Sequence, residues 1–212
     1  MFEPVATKLL EGAFICESTA PEAFRWLCTE SAQQEISDYL GKIGRRLSKT
    51  HNDQAYYATW KRVGQNERSE VKKVFVSIKQ TIRPLIHFIT LCMEAEKKDC
   101  APITGDRLEY AALLKTITTN SHLIEMLREF GTMGKDFTVN DASTKVMLDK
   151  VIQQIEKWGY LVIVSRENET YRFTGKLDYY YQIVDFLKEN EDSISDPDSL
   201  ERDVNPDQGR LI

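Results

Sequence analysis

Twice along this chain, apolar residues recur at helical spacing, stop at a Lys–hydrophobic–Gly triplet, and then alternate with polar ones. In the first stretch, residues 31–60, Ile36, Leu40 and Ile43 share one helix face, Lys42-Ile43-Gly44 is the stop, and a hairpin follows over 45–60. In the second, residues 140–174, Leu148, Ile152 and Ile155 share the face, Lys157-Trp158-Gly159 is the stop, and the hairpin covers 160–173. Three- and four-residue spacing reads as amphipathic helix, and glycine supplies the left-handed residue at which helices commonly end. A helix followed at once by a β-wing, twice in one chain, predicts tandem winged-helix domains. The expected fold class is mainly α with small β-wings (α+β), the two domains being joined by a helical middle segment.

The same pattern predicts the flanking elements. A short helix lies around 5–10, followed by an apolar turn or strand over 12–16. Thr19-Ala-Pro-Glu22 has the form of a capping box with proline in the first turn of a helix through Phe24, Trp26 and Leu27. Ser31-Ala-Gln-Gln34 has the form of a second box, opening the helix expected to bury Ile36, Leu40 and Ile43. His51-Asn52-Asp53 is good turn chemistry between strands 45–49 and 55–59. Residues 66–98 carry Val71, Val74, Phe75, Ile78, Ile82, Leu85, Ile86 and Ile89 at helical spacing, and Pro84 is expected to kink that helix or divide it. A loop over 99–105 precedes two further helices, 107–119 and 122–130. Asn140 or Thr138 is the expected cap of the helix leading to Trp158. Strands 161–164 and 170–173 form the second wing, and a last helix, 176–188, presents Tyr179, Tyr180, Ile183, Phe186 and Leu187. The expected organisation is a first winged-helix domain over 1–64, a helical connector over 65–100, a second winged-helix domain plus C-terminal helix over 101–188, and a disordered acidic tail over 189–212.

Charge sharpens that division. The 212 residues carry a net charge of −5, yet residues 189–212 alone hold eight acids against Arg202 and Arg210, leaving 25 acids and 26 bases in the rest. The body is close to neutral and the acidity sits in a tail with Pro197, Pro206 and Gly209 and little to bury. Such a tail is either a solvated terminus or a strand of acids that competes with DNA phosphate for basic surface or docks a basic partner. The four cysteines form no C-x-x-C pair, and the N-terminus has no leader pattern, so a cytoplasmic protein with reduced thiols is expected. No membrane span is expected, because the most apolar stretch, 82–93, holds Arg83, Pro84 and His87 and is far short of the ~20 residues a span needs.

Catalytic chemistry is not expected. The glycines are scattered as helix stops and turns, with no phosphate-binding loop. His51, His87 and His122 lie far apart and no cysteine stands at ligand spacing, so no metal and no cofactor is expected. His87 falls on an apolar face, as a core histidine would. A winged helix that reads DNA sequence must offer polar and basic side chains to base edges from the helix before its wing. Here those helices offer Gln33, Gln34, Glu35, Asp38 and Lys42, and Lys145, Asp149, Lys150, Gln153, Gln154, Glu156 and Lys157, both nearly neutral. That disfavours the alternative of a winged-helix transcription regulator. Positive charge does gather around the first wing, in Lys42, Arg45, Arg46, Lys49, Lys61 and Arg62, and continues in Arg68, Lys72 and Lys73 among Glu67 and Glu70. These six are the candidates for weak, sequence-independent contact with double-stranded DNA, a contact that weakens steeply with salt.

Four segments carry a family resemblance: Leu9-Leu10-Glu-Gly-Ala-Phe-Ile-Cys, Ala23-Phe-Arg-Trp-Leu, Ile36-x-x-Tyr39-Leu40-x-x-Ile43-Gly44-x-x-Leu47, and Ala55-Tyr-Tyr-Ala58. In these the chain resembles the small winged-helix subunit of bacterial condensin-type complexes, the MukE/MksE group of KITE proteins (kleisin-interacting tandem winged-helix elements), also found in Wadjet plasmid-defence systems. The resemblance covers roughly residues 5–188 and is best in the first winged helix. It implies a non-catalytic, nucleoid-associated homodimer that grips a kleisin subunit, which in turn bridges the heads of an SMC-type ATPase, in chromosome segregation or plasmid defence. The candidate partner-binding residues are Phe75, Ile78 and Ile82 on the middle helix and the run Tyr179, Tyr180 and Tyr181.

Overall fold

The two helix–wing repeats build two separate hydrophobic cores. A computed structural model of the chain describes residues 1–65, 67–139 and 143–189. The first core is formed by α1 (Phe2–Leu10), α2 (Pro21–Leu27), α3 (Glu30–Lys42) and the antiparallel wing β1 (Arg45–Lys49) and β2 (Tyr56–Trp60). Val5, Leu9, Ile15, Leu27, Ile36, Leu40 and Tyr56 meet at its centre. Ile15 adds a one-residue third strand, exchanging two backbone hydrogen bonds of 2.9 Å with Tyr56. Gly44, at φ +72°, turns the chain from α3 into β1 in a conformation that side chains with a Cβ resist. The Lys61 N–H donates to the Gly44 carbonyl at 2.9 Å and closes the base of the wing.

Both expected capping boxes are corrected. Pro21 does open α2, but its N-cap is Ala20, and the Thr19 hydroxyl instead donates to the Phe14 carbonyl at 2.9 Å. Helix α3 begins at Glu30, which places Ser31 inside it, and the Thr29 hydroxyl turns back to the Trp26 carbonyl at 2.8 Å. With only two residues between α2 and α3, hydroxyls at the junction are drawn to the carbonyls that end one helix rather than the amides that start the next. Ile43 is also corrected: it sits at the C-cap of α3, beyond the last regular turn, and is exposed rather than buried with Ile36 and Leu40.

One continuous helix, α4 (Arg68–Glu96), fills the middle of the chain. Pro84 lies inside it and does not divide it. Proline removes one helical hydrogen bond, but Pro84 is buried beside Leu85 and Phe88, and that packing holds the helix together across the gap. The second half of α4 belongs to the second core. That core also takes β3 (Arg107–Glu109), α5 (Tyr110–Thr118), α6 (Ser121–Glu129), α7 (Thr144–Lys157), β4 (Leu161–Ser165), β5 (Thr170–Phe173) and α8 (Lys176–Glu189). Its sheet has the order β3-β5-β4, all antiparallel. Leu85, Phe88, Leu91 and Cys92 of α4 pack there with Leu148, Ile152, Ile155, Phe173 and Tyr180.

Residues 107–109, expected as helix, are strand. Three residues are too few for alternation to show in a sequence, and it is pairing with β5 that makes them extended. The cap of α7 is Ser143, whose hydroxyl accepts from the Val146 N–H at 3.4 Å. Thr138 instead follows a short 3-10 turn, and Asn140 lies outside the described residues, as do residues 190–212 of the expected tail.

The two units are joined by more than α4. The turn at the tip of the first wing sits on the start of α8: the Asn52 backbone N–H donates to one carboxylate oxygen of the buried Asp178 at 3.1 Å, and the Asn52 side-chain amide donates to the other at 2.6 Å. Beside it, Gly175 lies so close to the first unit that a Cβ there would stand 2.5 Å from the Ala55 methyl and 2.9 Å from the Cys16 Cβ. Phe14 stacks on Tyr57 at 5.0 Å, and Tyr179 of α8 lies 5.1 Å from both rings.

Candidate nucleic-acid and partner interfaces

The six basic residues of the first wing do not form one surface. Strand alternation puts Arg45 and Lys49 on the face that carries the core residues Leu47 and Tyr56, and Arg46 on the other. Arg45 is held: its guanidinium lies 4.0 Å over the Trp60 ring and 3.6 Å from the Glu70 carboxylate. Lys49 pairs with Asp53 at 3.6 Å, and contact with the Tyr56 hydroxyl, foremost, raises its pKa above the ordinary lysine value. Arg46 is exposed and steadied by a 3.0 Å bond from its Nε to the Thr59 hydroxyl. Lys42, Lys61 and Arg62 are exposed at the end of α3 and the exit of β2, brought near one another by the Lys61–Gly44 bond. The freely presented charge is therefore at the base of the wing. The tip, which would enter a groove in a DNA-reading winged helix, is occupied by Asp178.

The two helices that precede the wings engage several of their polar side chains within the fold. On α3, the Gln33 amide donates to the Tyr56 hydroxyl at 3.1 Å and the Gln34 amide to Asp38 at 2.8 Å. On α7, Gln154 is buried, Lys145 pairs with Asp149 at 3.0 Å, and the Tyr110 hydroxyl donates to the same carboxylate. That acceptor, after burial, pushes the Tyr110 phenol well up from its usual range. Base-edge recognition needs unoccupied donors and acceptors on an exposed helix; α3 leaves Glu35 and Lys42 exposed, and α7 leaves Lys150, Gln153 and Lys157.

The partner-binding candidates scatter. Phe75 is 65% exposed on the first half of α4, with Val74 at 53% and Val76 also open to solvent. Ile78 is half-buried on the same stripe, and Ile82 already packs against the second core. The three tyrosines part company because consecutive helical residues point ~100° apart. Tyr179 is in the aromatic junction with Phe14 and Tyr57. Tyr180 is 1% exposed, donates its hydroxyl to the Ile82 carbonyl at 3.1 Å, and is a core residue unavailable to a partner. Tyr181 donates to the Pro102 carbonyl at 2.7 Å. Desolvation raises the pKa of all three phenols.

Between the units lies an open cavity of about 370 Å³, lined among others by Lys8, Phe14, Thr19, Lys157, Trp158 and Lys176. Lys176 is its most enclosed cation: it donates to the Trp158 carbonyl at 2.6 Å, stands 4.9 Å from the Tyr160 ring, and has its pKa lowered by burial. His87 is half-buried, with Nε2 bonded to the Met126 carbonyl at 2.7 Å and its ring 4.7 Å from Phe130. Among the described residues no cluster of His, Cys, Asp or Glu is arranged to hold a metal ion, and no helix is long and apolar enough to cross a membrane.

Sequence reading missed the Asn52–Asp178 link, which joins residues 126 apart and leaves no local signal. It also missed that Lys79 and Arg83 extend the basic run of Arg68 and Lys72. The helical spacing of those four was the available clue.

The chain matches the sequence model of one protein family, described as condensin complex protein MksE, over residues 1–184. No curated protein matches it.

Proposed function

Because the chain belongs to the MksE family of condensin complex proteins, we propose that it is a non-catalytic accessory subunit of an SMC-type complex, acting as a homodimer that holds the kleisin subunit. The kleisin would link it to the ATPase, in chromosome organisation or plasmid defence, within the cytoplasm and at the nucleoid. The observation that carries this reading is the first half of α4. Val74, Phe75 and Val76 stand in water on a helix whose second half is packed in a core. Full burial of a Val or Phe side chain is worth ~1.5–3 kcal/mol, so covering Val74 and Phe75 together with the half-buried Val71 and Ile78 of the same stripe offsets part of the cost of association. Phe75 and Ile78 are the centre of that surface, with Ile82 at its inner edge.

DNA contact in this reading is secondary and independent of sequence. Lys42, Arg46, Lys61 and Arg62 present exposed cationic heads, with no carboxylate partner among the described residues, at the base of the first wing, while Arg45 and Lys49 keep their folded-state partners. The near balance of acids and bases on α3 and α7 speaks against a transcription regulator. Co-expression with the kleisin of its own complex, followed by light scattering on the eluted species, tests the reading. A dimer of this chain travelling with the kleisin is the expected result, and a monomer that ignores the kleisin refutes it.

A further inference from the structure

On the first half of α4, Arg68, Lys72, Phe75, Lys79 and Arg83 follow one another at i, i+4, i+7, i+11 and i+15, the spacing that keeps residues on one edge of a helix. All five are exposed. The nearest acid in the helix, Glu70, points away from them to Arg45. Among the described residues, none of the four cations has a carboxylate partner. The result is a ladder of like charge about 22 Å long, at 1.5 Å per residue. Unpaired like charges so close on one helix repel, so the edge favours an acidic occupant.

The chain carries such an occupant. Residues 190–212 hold seven acids against Arg202 and Arg210, with Ile194, Leu200 and Val204 among them. They leave from the end of α8, which is fastened to α4 beside the ladder by the bond from Tyr180 to the Ile82 carbonyl. Glu189 ends α8 about 14 Å of helix beyond Tyr180. Fully extended, the following segment spans up to ~76 Å, more than three times the ladder. Attachment to the same molecule raises its effective concentration to the order of mM, so even weak pairing is populated.

We propose that residues 190–212 dock along the Arg68–Lys72–Lys79–Arg83 edge of α4 in the same chain and screen it from other polyanions. With the ladder screened, the protein's weak phosphate contact is left to Lys42, Arg46, Lys61 and Arg62. That last consequence rests on the function proposed above; the docking itself does not.

The test uses the full-length chain alone, without kleisin or DNA. A carbodiimide joins carboxylates directly to neighbouring amines, and mass spectrometry of a mixture of ¹⁴N- and ¹⁵N-labelled protein distinguishes links within a chain from links between chains. The expected links run from Glu191, Asp192, Asp196, Asp198 and Glu201 to Lys72 and Lys79, within one chain. Their yield should fall several-fold at ~1 M salt, where the screening length is ~3 Å. Arg68→Glu with Arg83→Glu should lower the yield several-fold as well, although both reactive lysines remain. Links to Lys42 and Lys61 in equal yield, links only between chains, or a yield indifferent to the two arginine reversals would overturn the proposal. Because neither partner is present, these outcomes are independent of whether kleisin capture or DNA contact succeeds.

Discussion

The two halves of α4 carry the same hydrophobic rhythm and meet opposite fates. Before Pro84, Val71, Val74, Phe75 and Ile78 form a stripe that remains largely in solvent, flanked by cations. After it, Leu85, Phe88, Leu91 and Cys92 are buried against α5, α6 and the second sheet, with Phe88 fully enclosed. Periodicity identifies an amphipathic helix, but it does not say what covers the apolar face. In the second half the covering is supplied by the chain itself. In the first half it has to come from elsewhere, and this is why the exposed half is the interface in the function proposed here.

Truncating the aromatic ring in each half breaks or sustains that comparison most sharply. Phe88→Ala should cost ~3–5 kcal/mol in urea unfolding, as a large core deletion does, whereas Phe75→Ala should stay within ~0.5 kcal/mol. Equal costs would mean that the first half is packed in the free protein after all. Next in size is the link that ties the first unit to the second independently of α4. Asp178→Ala strands the Asn52 donors and removes a buried charged acceptor, for an expected loss of ~1–3 kcal/mol, with Asp178→Asn losing less. If Asp178→Ala costs nothing, α4 alone sets the relation of the two units.

A third effect is confined to alkaline solution. Burial raises the Tyr180 phenol, which bonds to α4, and pushes Tyr160 up to about 12. Folded values above the unfolded value of ~10 mean that this stabilisation is fully present below pH ~10 and is lost as pH rises through the folded values. Unfolding should then follow the appearance of phenolate absorbance, and tyrosines that ionise without unfolding would contradict their placement around the second half of α4. The smallest effect on stability is expected from reversing Lys42, Arg46, Lys61 and Arg62 to Glu, since all four are exposed. Low-salt DNA retention should nevertheless disappear, with kleisin capture intact. Unchanged retention would move the phosphate contact away from the wing base, the ladder of α4 included if its tail is in place.

Much of this architecture is legible in the residues themselves. Both wings, the helices before them and the C-terminal helix follow from local spacing and from Gly44 and Gly159, each at positive φ. What escaped depends on partners distant in sequence. Strand β3 exists because Leu108 pairs beside β5, and Pro84 stays within a helix because the second core encloses it. The candidate site was legible in kind but not in detail. Composition locates positive charge at the first wing, but only the strand faces separate the exposed Arg46 from Arg45, which lies over Trp60. Three tyrosines in a row look like a patch in one dimension, and a helix turns them into a junction residue, a core residue and a loop anchor.

The claim at the centre is that the first half of α4 is covered by a partner. Light scattering on the chain co-expressed with its kleisin, compared with the doubly substituted Val74→Asp, Phe75→Asp chain, addresses it directly. The account predicts a dimer eluting with kleisin for the unaltered chain, and loss of that assembly in the variant with its thermal unfolding unchanged. An assembly that survives both aspartates would contradict it.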